Sequence, residues 1–184
     1  KIISSSIIKH GFEYTFENIL FRFLEKAGML WQTGGVYPAQ EHFISQLIRQ
    51  KLILAIDSQN EQRPGNKTFL LFLPENEYHE LGLLYLNFLI RKRGHTVVYL
   101  GQNVPLVNLK NVLSGHKIDF LLTSIASNLP EETIVEIVQE LSSLYGDKHV
   151  LIGGHCFLGN EVSLPTNFTL FKNVSDFTEF LNTL

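Results

Sequence analysis

The chain has little of what several protein classes require. Its single cysteine, Cys156, cannot form a disulfide within the chain, which is typical of the reducing cytoplasm. No apolar run reaches the ~18 residues that span a bilayer, and no signal peptide is recognisable. A net charge of −3 argues against a general nucleic-acid surface. The start lacks methionine, so we expect a fragment of a longer protein.

The remaining composition, 45% hydrophobic and 18% charged, predicts a globular chain with a substantial core. Residues 1–57 show helical periodicity only, and we expect helices over 1–8, from Thr15 as N-cap through Trp31, and from Pro38 to Asp57. Three helices predict a bundle that caps the next domain, with a fourth helix before residue 1. Residues 58–66 are polar and predict a linker.

From residue 67 to 184 the pattern changes to alternating strands and helices. We expect strands at 68–73, 96–100, 119–123, 149–152 and 169–171, and helices at 80–93, 106–114, 130–145 and 175–183. Nearly continuous apolar strands are typical of a parallel sheet covered on both faces. The predicted fold is therefore α/β: a flavodoxin-like (Rossmann-like) five-stranded sheet of order 2-1-3-4-5 behind the helical cap.

That strand order opens a crevice above the carboxyl ends of the first and third strands. His79 follows the first strand, and Ser124 and Ser127 follow the third, so both sets should face it. No phosphate-cradling loop or phospho-accepting aspartate follows the first strand. Instead Glu77 stands two residues before His79, the pairing of a metal-binding histidine with a carboxylate. One histidine cannot build a protein-only zinc site, but it could be an axial ligand to a metal held by a macrocycle.

These residues resemble the cobalamin-binding domain of the methionine synthase and corrinoid-protein class. The likeness is carried by Glu77-x-His79-x-x-Gly82, by Val98-Tyr99-Leu100-Gly101-x-x-Val104-Pro105, by Thr123-Ser124 and by Gly153-Gly154. It implies that His79 is the lower cobalt ligand and Glu77 its hydrogen-bond partner. It also implies that Gly82 leaves room for the nucleotide tail, that Ser124 is the serine of the family's S-x-L motif, and that Gly101, Gly153 and Gly154 line the tail channel. Ala126 stands where that motif has leucine.

The helical half resembles a narrower group, the MerR-type cobalamin-binding transcriptional regulators (the CarH/LitR group). The likeness rests on Gly28-Met29-Leu30-Trp31 and on Pro38-Ala39-Gln40-Glu41-His42. It implies that Trp31, Glu41 and His42 lie above the corrin and contact the upper ligand. Light-sensing members have a histidine directly after the tryptophan, and Gln32 stands there in this chain, which argues against light sensing by that route.

We therefore expect the cobalamin-sensing part of a transcriptional regulator, not an enzyme. The resemblance implies adenosylcobalamin or methylcobalamin as the ligand, a homo-oligomer as the assembly, and DNA contact through a preceding domain. One alternative is a corrinoid shuttle protein for a methyltransferase system, and another is an interaction module that has lost the ligand. A tryptophan and a Glu-His pair over the cobalt favour sensing, because a shuttle must expose that face to its partners.

Overall fold

The computed structural model describes residues 2–32, 37–59, 67–160 and 162–184, and it divides into two compact units, 1–57 and 58–184. Most of the predicted linker, residues 60–66, lies outside the described residues, as do the side chains of Trp31 and Gln32. Within the described ranges, no helix is long and apolar enough to cross a membrane.

The first unit is helical at all of its described residues except Gly11 and Tyr37. Its elements are α1 (Ile2–His10), α2 (Phe12–Thr15), a π-helical turn (Phe16–Leu20), α3 (Phe21–Gln32) and α4 (Pro38–Asp57). Gly11 separates α1 from α2 in the left-handed region, with φ 85°, and its N–H donates to Ile7 O at 2.9 Å. Glycine is favoured at such helix ends because it has no Cβ to clash there.

The prediction that Thr15 begins the second helix is wrong. The helix starts at Phe12, and Thr15 lies inside it with φ −64° and ψ −41°. Its Oγ1 donates to Gly11 O at 2.8 Å and lies 2.9 Å from Ser6 Oγ, and the side chain is fully buried. A threonine hydroxyl can bond the carbonyl four residues back within a helix, and that contact replaced the expected cap.

The second unit is an α/β sandwich. Its strands are β1 (Thr68–Pro74), β2 (Thr96–Val104), β3 (Phe120–Ser124), β4 (His149–Gly153) and β5 (Phe168–Phe171). Its helices are α5 (Glu80–Lys92), α6 (Leu109–Gly115), α7 (Glu131–Tyr145) and α8 (Val174–Asn182). All pairings are parallel and the order is β2-β1-β3-β4-β5, which confirms the predicted fold class.

Both faces of this sheet are covered, as the apolar strands predict. On one face Leu70, Phe72, Leu121 and Ile152 pack with buried residues of α6 and α7. On the other, α5 and α8 cover the sheet, and the rings of Phe120 and Phe180 meet edge to face at 5.4 Å. β1 is buried from its second residue onward, so the loop that follows it starts from a strand fixed in the core.

β2 runs four residues beyond the predicted strand because its pairing with β1 continues through two irregularities. Leu71 pairs with Tyr99, Phe72 with Gly101, and Pro74 with Val104. At each irregularity β2 has one more residue than β1, which is a β-bulge. A bulge keeps a strand paired while it changes the direction of the strand. Gly101 and Asn103 have left-handed φ values of 81° and 57° in this stretch.

Candidate ligand site at the carboxyl edge of the sheet

The site lies where the chain reverses between β1 and β3, the topological switch point of such sheets. The loop after β1 carries Glu77 and His79, and the loop after β3 carries Ala126 and Ser127. The two loops are about fifty residues apart in sequence but share direct hydrogen bonds. The loops that follow β1 and β3 therefore meet at this edge of the sheet, as the strand order predicts.

The carboxylate of Glu77 is the centre of this contact. Oε1 lies 2.7 Å from His79 Nδ1 and accepts the His79 N–H at 2.9 Å. Oε2 accepts the N–H groups of Ala126 and Ser127 at 2.9 and 2.8 Å. Glu77 is only 3% exposed, whereas the His79 side chain is 68% exposed. A buried carboxylate thus anchors an imidazole that reaches solvent.

The protonation state of this pair follows from its surroundings. Burial alone would raise the pKa of Glu77, but hydrogen bonds from the His79 ring, from the backbone at Ser127 and His79, and from the Ser127 side chain lower it to about 2. An ionised carboxylate can only accept hydrogen bonds, so the proton between the two groups belongs to His79 Nδ1. In the neutral imidazole Nε2 then carries the lone pair, which is the electron pair that binds a metal.

Ser127 adds a further contact to the histidine. Its Oγ lies 3.3 Å from His79 Nδ1, next to the Glu77 oxygen. Ser127 therefore touches both partners, through its N–H to the carboxylate and through its hydroxyl to the ring. The structure brings together Glu77, His79 and Ser127 out of the predicted set.

The other predicted residues of this unit lie around the three. Ser124 ends β3, half-buried, and pairs with Gly153. Gly82 lies in the first turns of α5, where an added Cβ would meet nothing within 4 Å. Gly101 needs its left-handed φ of 81°, and a Cβ there would lie 3.5 Å from the Tyr99 ring. Open space beside Gly82 is compatible with a ligand segment there.

The glycine pair after β4 has a packing reason of its own. A Cβ on Gly153 would lie 2.4 Å from the Phe171 ring, and a Cβ on Gly154 would lie 2.2 Å from Ile125 O. Gly154 also has φ 115°, and Ile125 N–H donates to Gly153 O at 2.9 Å. Both glycines let the β4 turn approach neighbouring backbone closely, whatever else they line.

Two residues that sequence reasoning missed hold the site, Ala126 through its backbone and Asn103 through its backbone and side chain. Ala126 was noticed only as a departure from a motif, yet its N–H binds Glu77. Asn103 belongs to no motif, yet it bonds the loop twice: its N–H donates to Glu77 O at 3.1 Å, and its Oδ1 accepts the Asn76 N–H at 2.9 Å. The only sequence signal was an asparagine two residues after a strand glycine.

In the helical unit, Glu41 ends the first turn of α4 and His42 follows it. His42 Nδ1 lies 3.3 Å from Glu41 Oε2, with the His42 side chain 77% exposed and that of Glu41 35% exposed. The backbone of Trp31 belongs to α3, and its side chain lies outside the described residues. The roles of these three residues at the upper ligand stay predictions.

His79, with Glu77 behind it, suits a metal that is already bound by a macrocycle. Within the described ranges, no group of three His, Cys, Asp or Glu side chains could hold a bare ion. A single accessible imidazole with a carboxylate behind it can supply one axial ligand. Cys156 is buried, and that burial raises the pKa of its thiol to about 12, so it is not a second donor.

Comparison with known proteins agrees with that chemistry. Residues 2–55 match the model of a family described as B12 binding domain. The match covers the helical region, less than a third of the chain. The family prediction from the sequence is thereby confirmed, and cobalamin is supported as the ligand.

Two relatives extend the likeness across both units. The HTH-type transcriptional repressor CarH of Myxococcus xanthus is 31% identical over 140 residues, which are 76% of this chain and 46% of that protein. The repressor CarA of the same organism is 27% identical over 143 residues, 78% of this chain and 48% of that protein. The chain thus spans about half the length of these regulators.

Among solved structures, the monomethylamine corrinoid protein of Methanosarcina barkeri matches with a TM-score of 0.73 at 14% identity. The match covers 98% of this chain and 88% of that protein. At this identity the likeness shows a shared fold, which agrees with the sheet order described above.

Proposed function

We propose that this chain holds cobalamin with the cobalt coordinated from below by His79 Nε2. The observation that carries the proposal is the 2.7 Å contact between His79 Nδ1 and a Glu77 carboxylate with a pKa of about 2. When bound, cobalamin would supply a cobalt ion already held by a macrocycle, to which His79 would add one ligand, and would carry the adenosyl or methyl group. The protein's part is to present a neutral imidazole in one tautomer and one orientation.

Glu77 and the residues that contact it each have a separate role in this proposal. Glu77 accepts the Nδ1 proton, keeps the lone pair on Nε2, and raises the basicity of the ring. The His79 ring and the N–H of Ser127 offset the burial of Glu77 and keep it ionised, and the Ala126 N–H donates to the same oxygen as Ser127. Ser127 Oγ lies at the same ring nitrogen as the carboxylate and helps to hold the ring in place.

We further propose that the nucleotide tail of the ligand lies beside Gly82 and Ser124, with Gly101, Gly153 and Gly154 nearby. The open space at Gly82 supports this assignment. Trp31, Glu41 and His42 are proposed to contact the upper side of the ligand. That part rests on the sequence likeness and on the exposed Glu41–His42 pair.

The proposed role is ligand sensing for transcription rather than catalysis. The relatives with recognisable sequence identity are transcriptional repressors, whereas the corrinoid protein shares only the fold at 14% identity. Bound cobalamin would favour one assembly state of the chain over another, because a ligand shifts an equilibrium by its difference in affinity for the two states. DNA contact would come from a further domain of the whole protein.

The ligand assignment is tested by mixing the purified chain in the dark with hydroxo-, methyl- and adenosylcobalamin. After free ligand is removed, the retained corrin is measured by its visible spectrum. We expect retention with a base-off/His-on spectrum, and we expect His79→Ala to lose the His-on features. His116→Ala, which alters another exposed histidine, is the matched control. No retention of any form would refute cobalamin binding, and an unchanged spectrum in His79→Ala would refute the ligand.

The sensing role needs a second measurement. The oligomer size of the loaded and ligand-free chain is compared by light scattering, in the dark and after illumination. A size that depends on bound cobalamin supports sensing, and a size that does not would favour a carrier. Disassembly in light would contradict the expectation drawn from Gln32.

A further inference from the structure

We propose that Asn103 is a positioning residue for His79: it fixes the main chain that carries the histidine, and thereby how firmly His79 holds the cobalt. This inference rests on the proposed function, since it concerns the same histidine. It adds a residue that the likeness in the motifs did not identify.

The first support is the geometry of the loop that carries His79. Residues 75–79 lie between β1 and α5 without regular secondary structure. Asn103 contacts this loop at two consecutive residues: Oδ1 accepts the Asn76 N–H at 2.9 Å, and the Asn103 N–H donates to Glu77 O at 3.1 Å. The main chain directly before His79 is therefore tied to the end of β2.

The second support is that β2 and β3 hold different parts of the same glutamate. Asn103, on β2, binds the backbone carbonyl of Glu77. The loop after β3 binds its carboxylate through Ala126 and Ser127. A side chain held only at its tip could still rotate with its backbone, so the β2 contact completes the placement of Glu77. His79 inherits that placement through its 2.7 Å contact to Glu77.

The third support is the unusual backbone that this contact requires. Asn103 and Asn76 have φ values of 57° and 68°, a left-handed conformation that is uncommon for residues other than glycine. Asparagine tolerates this region better than most residues. The bulge between the pairs Phe72–Gly101 and Pro74–Val104 adds the residue that turns Asn103 toward the loop.

Both asparagines are exposed, so water competes for these hydrogen bonds. Removing the Asn103 acceptor should therefore weaken the hold on His79 without abolishing it. A hydrogen bond of ordinary net strength changes an equilibrium by about three- to tenfold. Protons compete with cobalt for His79 Nε2, so a loosened loop should release the histidine at a higher pH. A three- to tenfold change moves the midpoint of that release upward by about half to one pH unit.

The test uses the chain loaded with hydroxocobalamin and titrated with acid, with the His-on spectrum as the signal. Asn103→Gly keeps the left-handed backbone and removes the acceptor, so we expect its midpoint to rise. Asn103→Asp keeps an acceptor oxygen and should restore the midpoint to that of the unaltered chain. Gln102→Ala, on the exposed neighbouring residue, is the matched control and should leave it unchanged.

A ligand-free measurement separates this inference from the proposed function. Amide hydrogen exchange at Asn76 should be about three- to tenfold faster in Asn103→Gly than in the unaltered chain. An unaltered chain that retains no hydroxocobalamin would overturn both proposals. Normal loading with an Asn103→Gly midpoint equal to that of Gln102→Ala would overturn this inference alone. Unchanged exchange at Asn76 would likewise overturn it.

Discussion

Replacing Glu77 by glutamine should destabilise the α/β unit most at neutral pH and less in acid. The carboxylate accepts four contacts, two at each oxygen, and is almost fully buried. Glutamine keeps one accepting oxygen, and its NH2 group would face two N–H donors in either orientation. Because buried donors would then lose their acceptor, we expect a loss of about 2–4 kcal/mol in the free energy of unfolding at pH 7.

The pH dependence follows from the pKa of Glu77. A pKa lowered from 4.5 to about 2 corresponds to roughly 3 kcal/mol of stability from the ionised form. A depressed pKa contributes this stability fully above the unfolded value, near 4.5, and loses it as pH falls toward 2. Glu77→Gln has no such group, so the difference between the two proteins should shrink across that window.

Urea unfolding followed by NMR amide signals of the sheet measures this difference at pH 7, 5, 4 and 3. A carboxyl-carbon titration of the unaltered chain measures the Glu77 pKa directly. Glu75→Gln, on the exposed residue two positions earlier, is the control and should stay within about 0.5 kcal/mol of the unaltered chain at each pH. A measured Glu77 pKa above 4, or a Glu77→Gln difference that stays constant from pH 7 to 3, would refute the reasoning.

Three further predictions concern the glycines and the thiol. Gly82→Ala should leave the stability of the ligand-free unit in urea unchanged or raise it by up to about 1 kcal/mol, because the space is open and alanine favours a helix. The same variant should lower cobalamin retention if the nucleotide tail lies beside residue 82. Gly154→Ala should lower the free energy of unfolding by more than about 3 kcal/mol in the same assay, because its Cβ would overlap the Ile125 backbone. Gly159→Ala is the control: its φ is left-handed but the space around it is open, so it should lose only about 1 kcal/mol. Equal losses in the two variants would contradict this prediction. Cys156 should resist a thiol reagent at pH 8 until urea unfolds the sheet, since its thiol is buried with a pKa of about 12, and rapid labelling of the native chain would disprove that.

Local sequence pattern was sufficient for the sheet. Each strand is a short apolar run followed by a helical repeat, and such units typically form a parallel sheet with helices on both sides, as observed here. The errors fell at element ends. Thr15 formed a bond inside a helix instead of starting one, and β2 continued to Val104 because bulges preserved its pairing. Both outcomes depend on neighbours that periodicity does not describe.

The site shows the same difference between residues found from local sequence and residues brought in by the fold. Glu77 and His79 could be found from sequence because a carboxylate two residues from a histidine, just after a strand, is a local pattern. The N–H groups of Ala126 and Ser127 could not be found, since every residue but proline has one. Asn103 was equally hidden, because nothing in its own stretch shows that it will bond a loop 26 residues earlier.

By itself, the sequence determined the order of the strands, the edge at which His79 emerges, and the chemistry of an imidazole with a carboxylate partner. Only the tertiary structure decided that this carboxylate is ionised and that the proton therefore lies on His79 Nδ1. The reason is that Glu77 is buried, and the hydrogen bonds that offset its burial come from the His79 ring and backbone and from Ser127, which is 50 positions away and meets Glu77 only when β1 and β3 pair. Folding of the sheet thus sets the electrostatics of the histidine.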